Sequence, residues 1–405
     1  MHLLLFDDPA IRPHLLPLTY TRPVAALRCG ILTVAEKWQH RLGSSTVGYL
    51  TQPYLQAKFP AGEVAGPALV VNGAACPDDL LIQQVQALRP GQALYCGDTL
   101  IAACLADGSK VAELVQDGLE VTQACEDVSL LERPWHLFLR NGAEIRRDFK
   151  LLTAGRTSQP VGDAHTIVYA PENVFIEPGV KIRAAILNAE NGPIYLGLNS
   201  EVQEGAVIKG PLALGEGAVV NVGAKLRGDN TIGPYCKVGG EIGNSILLGY
   251  SNKGHEGYLG NSVLGEWCNL GADTNTSNLK NNYAPVKVWS HATHRFVDTG
   301  QTFCGLLMGD HSKAGINTMF NTGTVVGVGA NIFGAGFPRQ FVPSFSWGGT
   351  VGFETFKLPK FAEVAERVLG RRGLAYDEVE QDIITEVFRQ TSGDRAWEKK
   401  PAESL

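Results

Sequence analysis

The sequence predicts two unlike fold classes in one chain: an α/β three-layer domain over residues 1–155 and an all-β parallel β-helix over 167–352, with a C-terminal helical segment over 353–405. Three observations carry this. Of 47 glycines in 405 residues, 13 fall in 1–165 and 31 in 166–352, where average usage is about 7%. The first segment alternates short apolar runs with amphipathic stretches, the pattern of a largely parallel sheet flanked by helices. In the second, Leu196, Val202, Ile208, Leu214, Val220, Leu226, Ile232 and Val238 recur at every sixth position. With 44% of residues apolar, eight such hits from a given start arise by chance about once in 700.

Taken in order, residues 3–6, 46–50, 68–71 and 93–95 read as buried strands, and 31–42 and 79–88 as helices. The first helix carries Ile31, Leu32, Ala35 and Trp38 on one face. Gly155, Ser158, Pro160 and Gly162 mark 156–166 as a linker. Beyond it the six-residue beat begins with Val174, Val180 and Ile186 and resumes late with Met308, Ala314, Phe320, Val326 and Ile332. Such a beat is the mark of hexapeptide coils, in which each hexad supplies a short strand and a corner and three hexads close a triangle. These coils resemble known left-handed β-helices, an exception to the right-handed crossover rule. The beat fails over 241–258 and again over the Asn-rich 273–302, and interruptions of a solenoid are where functional loops emerge. Residues 358–369 and 376–390 read as amphipathic helices with stripes at Phe361, Val364, Val368 and at Val379, Ile383, Val387. Their expected place is against the last coils, whose open edge needs cover.

A formal charge of −6 without any long Lys/Arg block argues against nucleic acid or membrane as partner. Eight cysteines, Cys125 among them, form no CxxC pair and read as reduced thiols. Asp7 and Asp8 cut the first apolar run short of a signal peptide, and no apolar run approaches 18 residues. The expectation is a soluble, cytoplasmic protein.

Chemistry concentrates in Ser251, Asn252, Lys253, Gly254, His255, Glu256, Gly257, Tyr258, Leu259 and Gly260, with Asn269, Leu270, Gly271 and Ala272 following. This segment resembles the bifunctional N-acetylglucosamine-1-phosphate uridyltransferase/glucosamine-1-phosphate acetyltransferases, which carry S-K-x-G-H-x-x-Y-L-G and then N-I-G-A-G. The family spacing of fourteen from His to Asn recurs between His255 and Asn269. Lys225, Leu226, Arg227 and Gly228 are similar to its R-L-R-P-G, and Asn282, Tyr283 and Lys287 to its N-Y and later lysine. The chain departs from the family between its arginine and histidine, where it is two residues shorter and has Gly243, Asn244 and Ser245 in place of a lysine pair.

An amine attacking a thioester needs a base near neutrality, which suits His255. A sugar phosphate dianion needs fixed cations, so Arg227 is the first candidate, assisted by Lys253 or Lys287. The resemblance implies that Tyr258 and Asn269 hold the sugar, that Asn278 or Asn282 orients the amine, and that Ala272 meets acetyl-CoA. His311 is a further candidate for the acyl-donor channel. It also implies sugar phosphates as substrates and a homotrimer with sites shared between chains.

In the first domain, Leu18, Thr19, Tyr20, Thr21, Arg22 and Pro23 precede Glu36 and Lys37. Sugar-phosphate nucleotidyltransferases, which this domain resembles, order a G-x-G-T-R-M loop and a P-K lysine in the same way. The resemblance implies UTP and Mg²⁺, with Thr21, Arg22 and Lys37 on the nucleotide and Asn72 or Asp98 on the metal. The loop glycines that let backbone approach phosphate are absent. That absence leaves a second expectation open, an acyltransferase with a degenerate first domain. A third is a zinc lyase or binding scaffold built on His291, His294 and His311.

Overall fold

The computed structural model describes residues 2–44, 46–62, 66–108, 120–123 and 128–398, and Cys125 lies outside them. The chain divides into two compact units. One comprises 1–15, 21–28 and 32–133; the other 16–20, 29–31 and 134–405. Among the described residues no helix is long and apolar enough to cross a membrane.

The first unit is built on a six-stranded sheet in the order β2-β1-β3-β6-β5-β7, with β1 His2–Phe6, β2 Val47–Leu50, β3 Ala68–Asn72, β5 Gln92–Cys96, β6 Thr99–Leu105 and β7 Glu120–Gln123. A short pair, β4 Ala75–Cys76 and β8 Ser129–Leu130, lies apart from it. The expected strands are present, but the sheet is mixed. β1 runs parallel to β2 and β3, whereas β6 is antiparallel to β3 and β5. The cause is local: Gly97 and Asp98 close a tight turn between β5 and β6, and two strands joined by so short a link can only run antiparallel.

Helix α1, Val34–Leu42, starts at a Thr33/Glu36 capping box and ends at Gly43 in the left-handed conformation, which satisfies backbone groups that helix ends otherwise leave unpaired. Trp38 is fully buried beneath it and donates to the Ala75 carbonyl at 2.8 Å. Helix α2, Asp79–Ala87, is capped by Asp78.

The division differs from the expected segment 1–155. Helix α3, Pro134–Thr153, packs on the solenoid, against strands 212–214, 230–232, 246–249 and 263–266. Its Asn141 donates to the Asp229 carbonyl at 2.8 Å and accepts from Thr231 Oγ1 at 2.9 Å. Gly142 permits the approach, since a β-carbon there would lie 2.0 Å from Asp229 Oδ1.

The solenoid has three parallel faces. The first stacks nine strands from Val174–Ile176 to Phe341–Val342, the second ten from Lys181–Ile182 to an antiparallel Gly352–Thr355, and the third six from Ile167–Tyr169 to Tyr258–Gly260. Leu196, Leu214 and Ile232 are register partners on the first, Val202, Val220 and Val238 on the second, Ile208 and Leu226 on the third. All are buried in one continuous core. The first coil is out of the expected phase. Ile176, Ile182 and Leu187, not Val174, Val180 and Ile186, align with Leu196, Val202 and Ile208, because an extra turn at 190–192 precedes the second coil.

The corner between the first and second faces carries Tyr235, Tyr250, Trp267, His311 and Phe345, each with positive φ. Tyr235, Tyr250 and Trp267 stack with centroids 5.3 and 4.3 Å apart. Helices α4 Leu358–Gly370 and α5 Glu378–Gln390 cover this corner through Phe361, which meets His311 and Phe345, and through Phe388, which meets Phe345. Stacking offsets part of the cost of left-handed backbone at bulky residues.

Candidate active site

His255 sits at the corner between the second and third faces, in a turn joining Asn252–Lys253 to Tyr258–Gly260. The coils beneath explain why a turn emerges here. On the third face Leu226 pairs with Ile242, sixteen positions on where a regular coil has eighteen, and the missing two come from the corner at Gly239 and Gly240. The same corner keeps full length in the coils below and above, so the clipped one leaves a notch of about 430 Å³ lined by Gln203, Asn221, Val222, Gly240, Gly254, His255 and Glu256. Asn221 Nδ2 reaches across it to the Gly254 carbonyl at 2.7 Å. His255 is exposed at its rim.

Arg227 and Tyr258 lie on the adjoining third face. Arg227 is exposed and pairs with Glu241 at 3.0 Å, and Glu241 is the register partner of Tyr258. Tyr258 Oη accepts from Asn278 Nδ2 at 3.1 Å, and the same amide donates to Asn261 Oδ1 at 2.7 Å. His255 thus stands at one end of the third face, Arg227 and Tyr258 lie on that face, and Asn278 stands at its other end beside Asn261. Ala272 occupies the next corner along, where its carbonyl accepts from Asn317 N and Asp273 N donates to the Glu256 carbonyl. Asn269 is on the second face, exposed, between Asn252 and Lys313 in register.

Asn282 and Lys287 belong to the insertion that interrupts the coils. Asn282 Oδ1 accepts from Ala284 N at 3.1 Å, and Lys287 starts a hairpin, Lys287–Ser290 with Arg295–Asp298, opposite Asp298.

Two expected ligand residues are placed otherwise. Lys253 does not face a phosphate: it is fully buried in the core, with its ammonium on carbonyl oxygens of the His255 turn. Burial pushes its pKa down to about 8, against the opposing pull of Glu256 and Asp273. His311 is at the other corner, buried between Trp267 and Phe361 rather than beside His255. Nor do the three zinc candidates converge. His291 and His294 both approach Asp394, at 3.7 and 3.6 Å, and among the described residues no group of three or more His, Cys, Asp or Glu side chains is arranged to hold a metal.

In the first unit Thr21, Arg22 and Lys37 are all buried. The Arg22 carbonyl accepts from Arg12 at 3.1 Å, and Arg12 pairs with Asp7 at 2.9 Å at the carboxyl end of β1. Asp7 also accepts from Val24 N and Thr51 Oγ1, yet burial raises its pKa above the ordinary carboxylate value. Asn72 and Asp98, the alternative Mg²⁺ candidates, have different surroundings. Asn72 is buried at the end of β3, accepting from Ala74 N and donating to Asp8 and the Leu100 carbonyl, whereas Asp98 is an exposed turn residue between β5 and β6.

Residues 3–157 match the family model described as sugar nucleotidyl transferase. Over 87 residues the chain is 37% identical to the bifunctional protein GlmU of Methanocaldococcus jannaschii, covering 22% of this chain and 21% of that one. The similarity to GlmU is confined to that stretch. A second relative, the bifunctional sugar-1-phosphate nucleotidylyltransferase/acetyltransferase of Sulfurisphaera tokodaii, is 31% identical over 93 residues, 23% of each chain. The chain thus spans about a fifth of the length of the curated relatives it matches. A solved structure of the polySia-specific acetyltransferase NeuO aligns with 48% of this chain and 83% of its own, at TM-score 0.26 and 14% identity.

Three features of the structure were not legible in the sequence. The clipped corner needed the register. The interior place of Lys253 was signalled by its six-residue spacing from Leu247 and Leu259, once the phase is restarted after the short coil. The Asp7/Arg12 cluster had its signal in two acids directly after a strand, at the carboxyl end of the parallel strands β2, β1 and β3.

Proposed function

We propose that the solenoid unit transfers acetyl from acetyl-CoA to glucosamine-1-phosphate and that the first unit transfers uridylyl from UTP to the N-acetylated product. The observation carrying this is that His255 opens onto a notch with Tyr258, Asn278 and Arg227 on the adjoining face. In the acetyl step the imidazole takes a proton from the amine as its nitrogen bonds the thioester carbon, and CoA thiolate leaves. Arg227 exchanges Glu241 for the sugar phosphate, Tyr258 and Asn278 hold the sugar with Asn269 at the adjoining face, and the Ala272 corner meets the acyl donor. In the second step a phosphate oxygen attacks the α-phosphorus and pyrophosphate leaves, with Thr21, Arg22 and Lys37 on the nucleotide. The reading includes a soluble, cytoplasmic homotrimer, and a solution mass of three chains is the result expected of it.

The test is a screen of sugar-1-phosphates against acetyl-CoA and the four nucleoside triphosphates, with free thiol and pyrophosphate read separately. Thiol release with an amino sugar phosphate supports the acetyl step; none with any acceptor would end it. The burial of Arg22 and Lys37 favours the second reading, a first unit that has lost nucleotidyl transfer, and absence of pyrophosphate with every triphosphate selects it.

Replacing Arg227 gives a separate check. Charge-assisted hydrogen bonds contribute about 1.5–3 kcal/mol, so Arg227→Ala is expected to raise KM for the sugar phosphate roughly 10- to 100-fold while kcat changes little. An unchanged KM would remove Arg227 from the phosphate site.

A further inference from the structure

Lys253 occupies a core position of the solenoid. Val238 is its register partner in the coil below, and Asn252 pairs with Asn269 in the coil above, which puts Leu270 at the same place. The column is otherwise aliphatic: Val202 and Val220 lie below Val238, Ala314 and Ile332 above Leu270. An apolar side chain would fill the slot without the desolvation cost that an ammonium carries. The Lys253 ammonium instead points at backbone. Its Nζ donates to the carbonyl oxygens of His255 at 2.5 Å and Glu256 at 3.1 Å, with Gly239 O at 3.5 Å.

Those carbonyls face inward because the turn at 254–257 overhangs the clipped corner. The Glu256 carbonyl also accepts from Asp273 N at 2.9 Å. The inward set of the His255 carbonyl fixes the peptide plane next to the imidazole, and hence the direction in which that ring leaves the backbone.

We propose that Lys253 is a positioning residue, whose buried ammonium holds the His255 and Glu256 carbonyls inward and so aims the His255 imidazole at the notch. The catalytic half of this proposal rests on reading His255 as the base; the structural half does not. The charged groups acting on the ammonium are Glu256 on its own turn and Asp273 on the next coil, and Lys225 reaches Glu256 at 3.5 Å. With its pKa near 8, Lys253 is mostly charged at pH 7.

The experiment uses Lys253→Met in the full chain, read by thermal melting, hydrogen–deuterium exchange and acetyl-transfer kinetics. Methionine fills the apolar slot but donates nothing. The melting midpoint is expected to stay level or rise, while exchange at 254–258 and at 271–275 quickens at least tenfold and coils at 212–232 keep their protection. In an enzyme that acetylates, kcat falls tenfold or more with KM for the sugar phosphate within twofold, and Lys253→Gln, which keeps an amide donor, recovers part of the loss. Should the methionine variant not fold, Lys253→Gln carries the same measurements, with smaller changes of the same sign. Unchanged exchange at both segments overturns the proposal, as does faster exchange across all coils with a lowered midpoint, the result of a merely structural lysine. Faster local exchange with undiminished kcat also overturns it. If the wild-type chain acetylates no sugar phosphate, the acetyl-transfer reading fails, and local exchange still decides whether Lys253 holds the turn.

Discussion

His255→Ala is expected to lower acetyl transfer by a factor of roughly 10² to 10⁴, the contribution of a positioned general base, and to leave any uridylyl transfer intact. The side chain is exposed at the rim of the notch and contributes nothing to the packed core, so its removal leaves coils, corner and the residues proposed to hold the sugar in place. The loss therefore appears in kcat, with KM for the sugar phosphate nearly unchanged, because Arg227 and the Tyr258/Asn278 pair remain. The two proposed activities are assigned to separate compact units, and pyrophosphate release serves as the internal control. Equal loss of both activities would point to misfolding, and no loss of either would remove His255 from the chemistry.

The regular coils were legible from eight aliphatic residues because a triangular solenoid admits one interior side chain per hexad, so sequence period and structural period coincide. Legibility ended where the coils change length. Two residues fewer between Val238 and Ile242 and one fewer between Ile242 and Leu247 move the interior position onto Lys253, so that a lysine expected on the surface as a phosphate ligand lies in the core. His311 failed for a related reason: a histidine in a late coil says nothing about which of three corners it occupies, and this one stacks with aromatics under α4. In the first unit, strand positions followed from apolar runs, but pairing direction depended on the turn at Gly97 and Asp98. The role expected of Lys37 rests on its order in the chain, which gives no view of its burial on the inner side of α1.

The clipped corner itself makes the second large prediction. Gly240 has φ of +68°, and a β-carbon on it would lie 2.7 Å from the Gly257 carbonyl oxygen and 2.8 Å from that of His255. Both obstacles are backbone, so Gly240→Ala cannot be accommodated by turning a side chain. Left-handed backbone at a non-glycine residue costs on the order of 1–3 kcal/mol, and displacement of the 254–257 turn adds to it. The variant is expected to melt several degrees lower, by roughly 2–4 °C per kcal/mol for a unit of about this size, and to lose at least tenfold in acetyl-transfer kcat. The two losses have one origin, since the carbonyl that meets the added carbon is the one Lys253 holds inward. Combining Gly240→Ala with Lys253→Met should then cost less in kcat than the product of the single losses, because the turn can be misdirected only once. Full multiplication of the two effects would show that corner and lysine act on different parts of the site, and wild-type melting and rate in Gly240→Ala would mean that the turn does not rest on the corner below it.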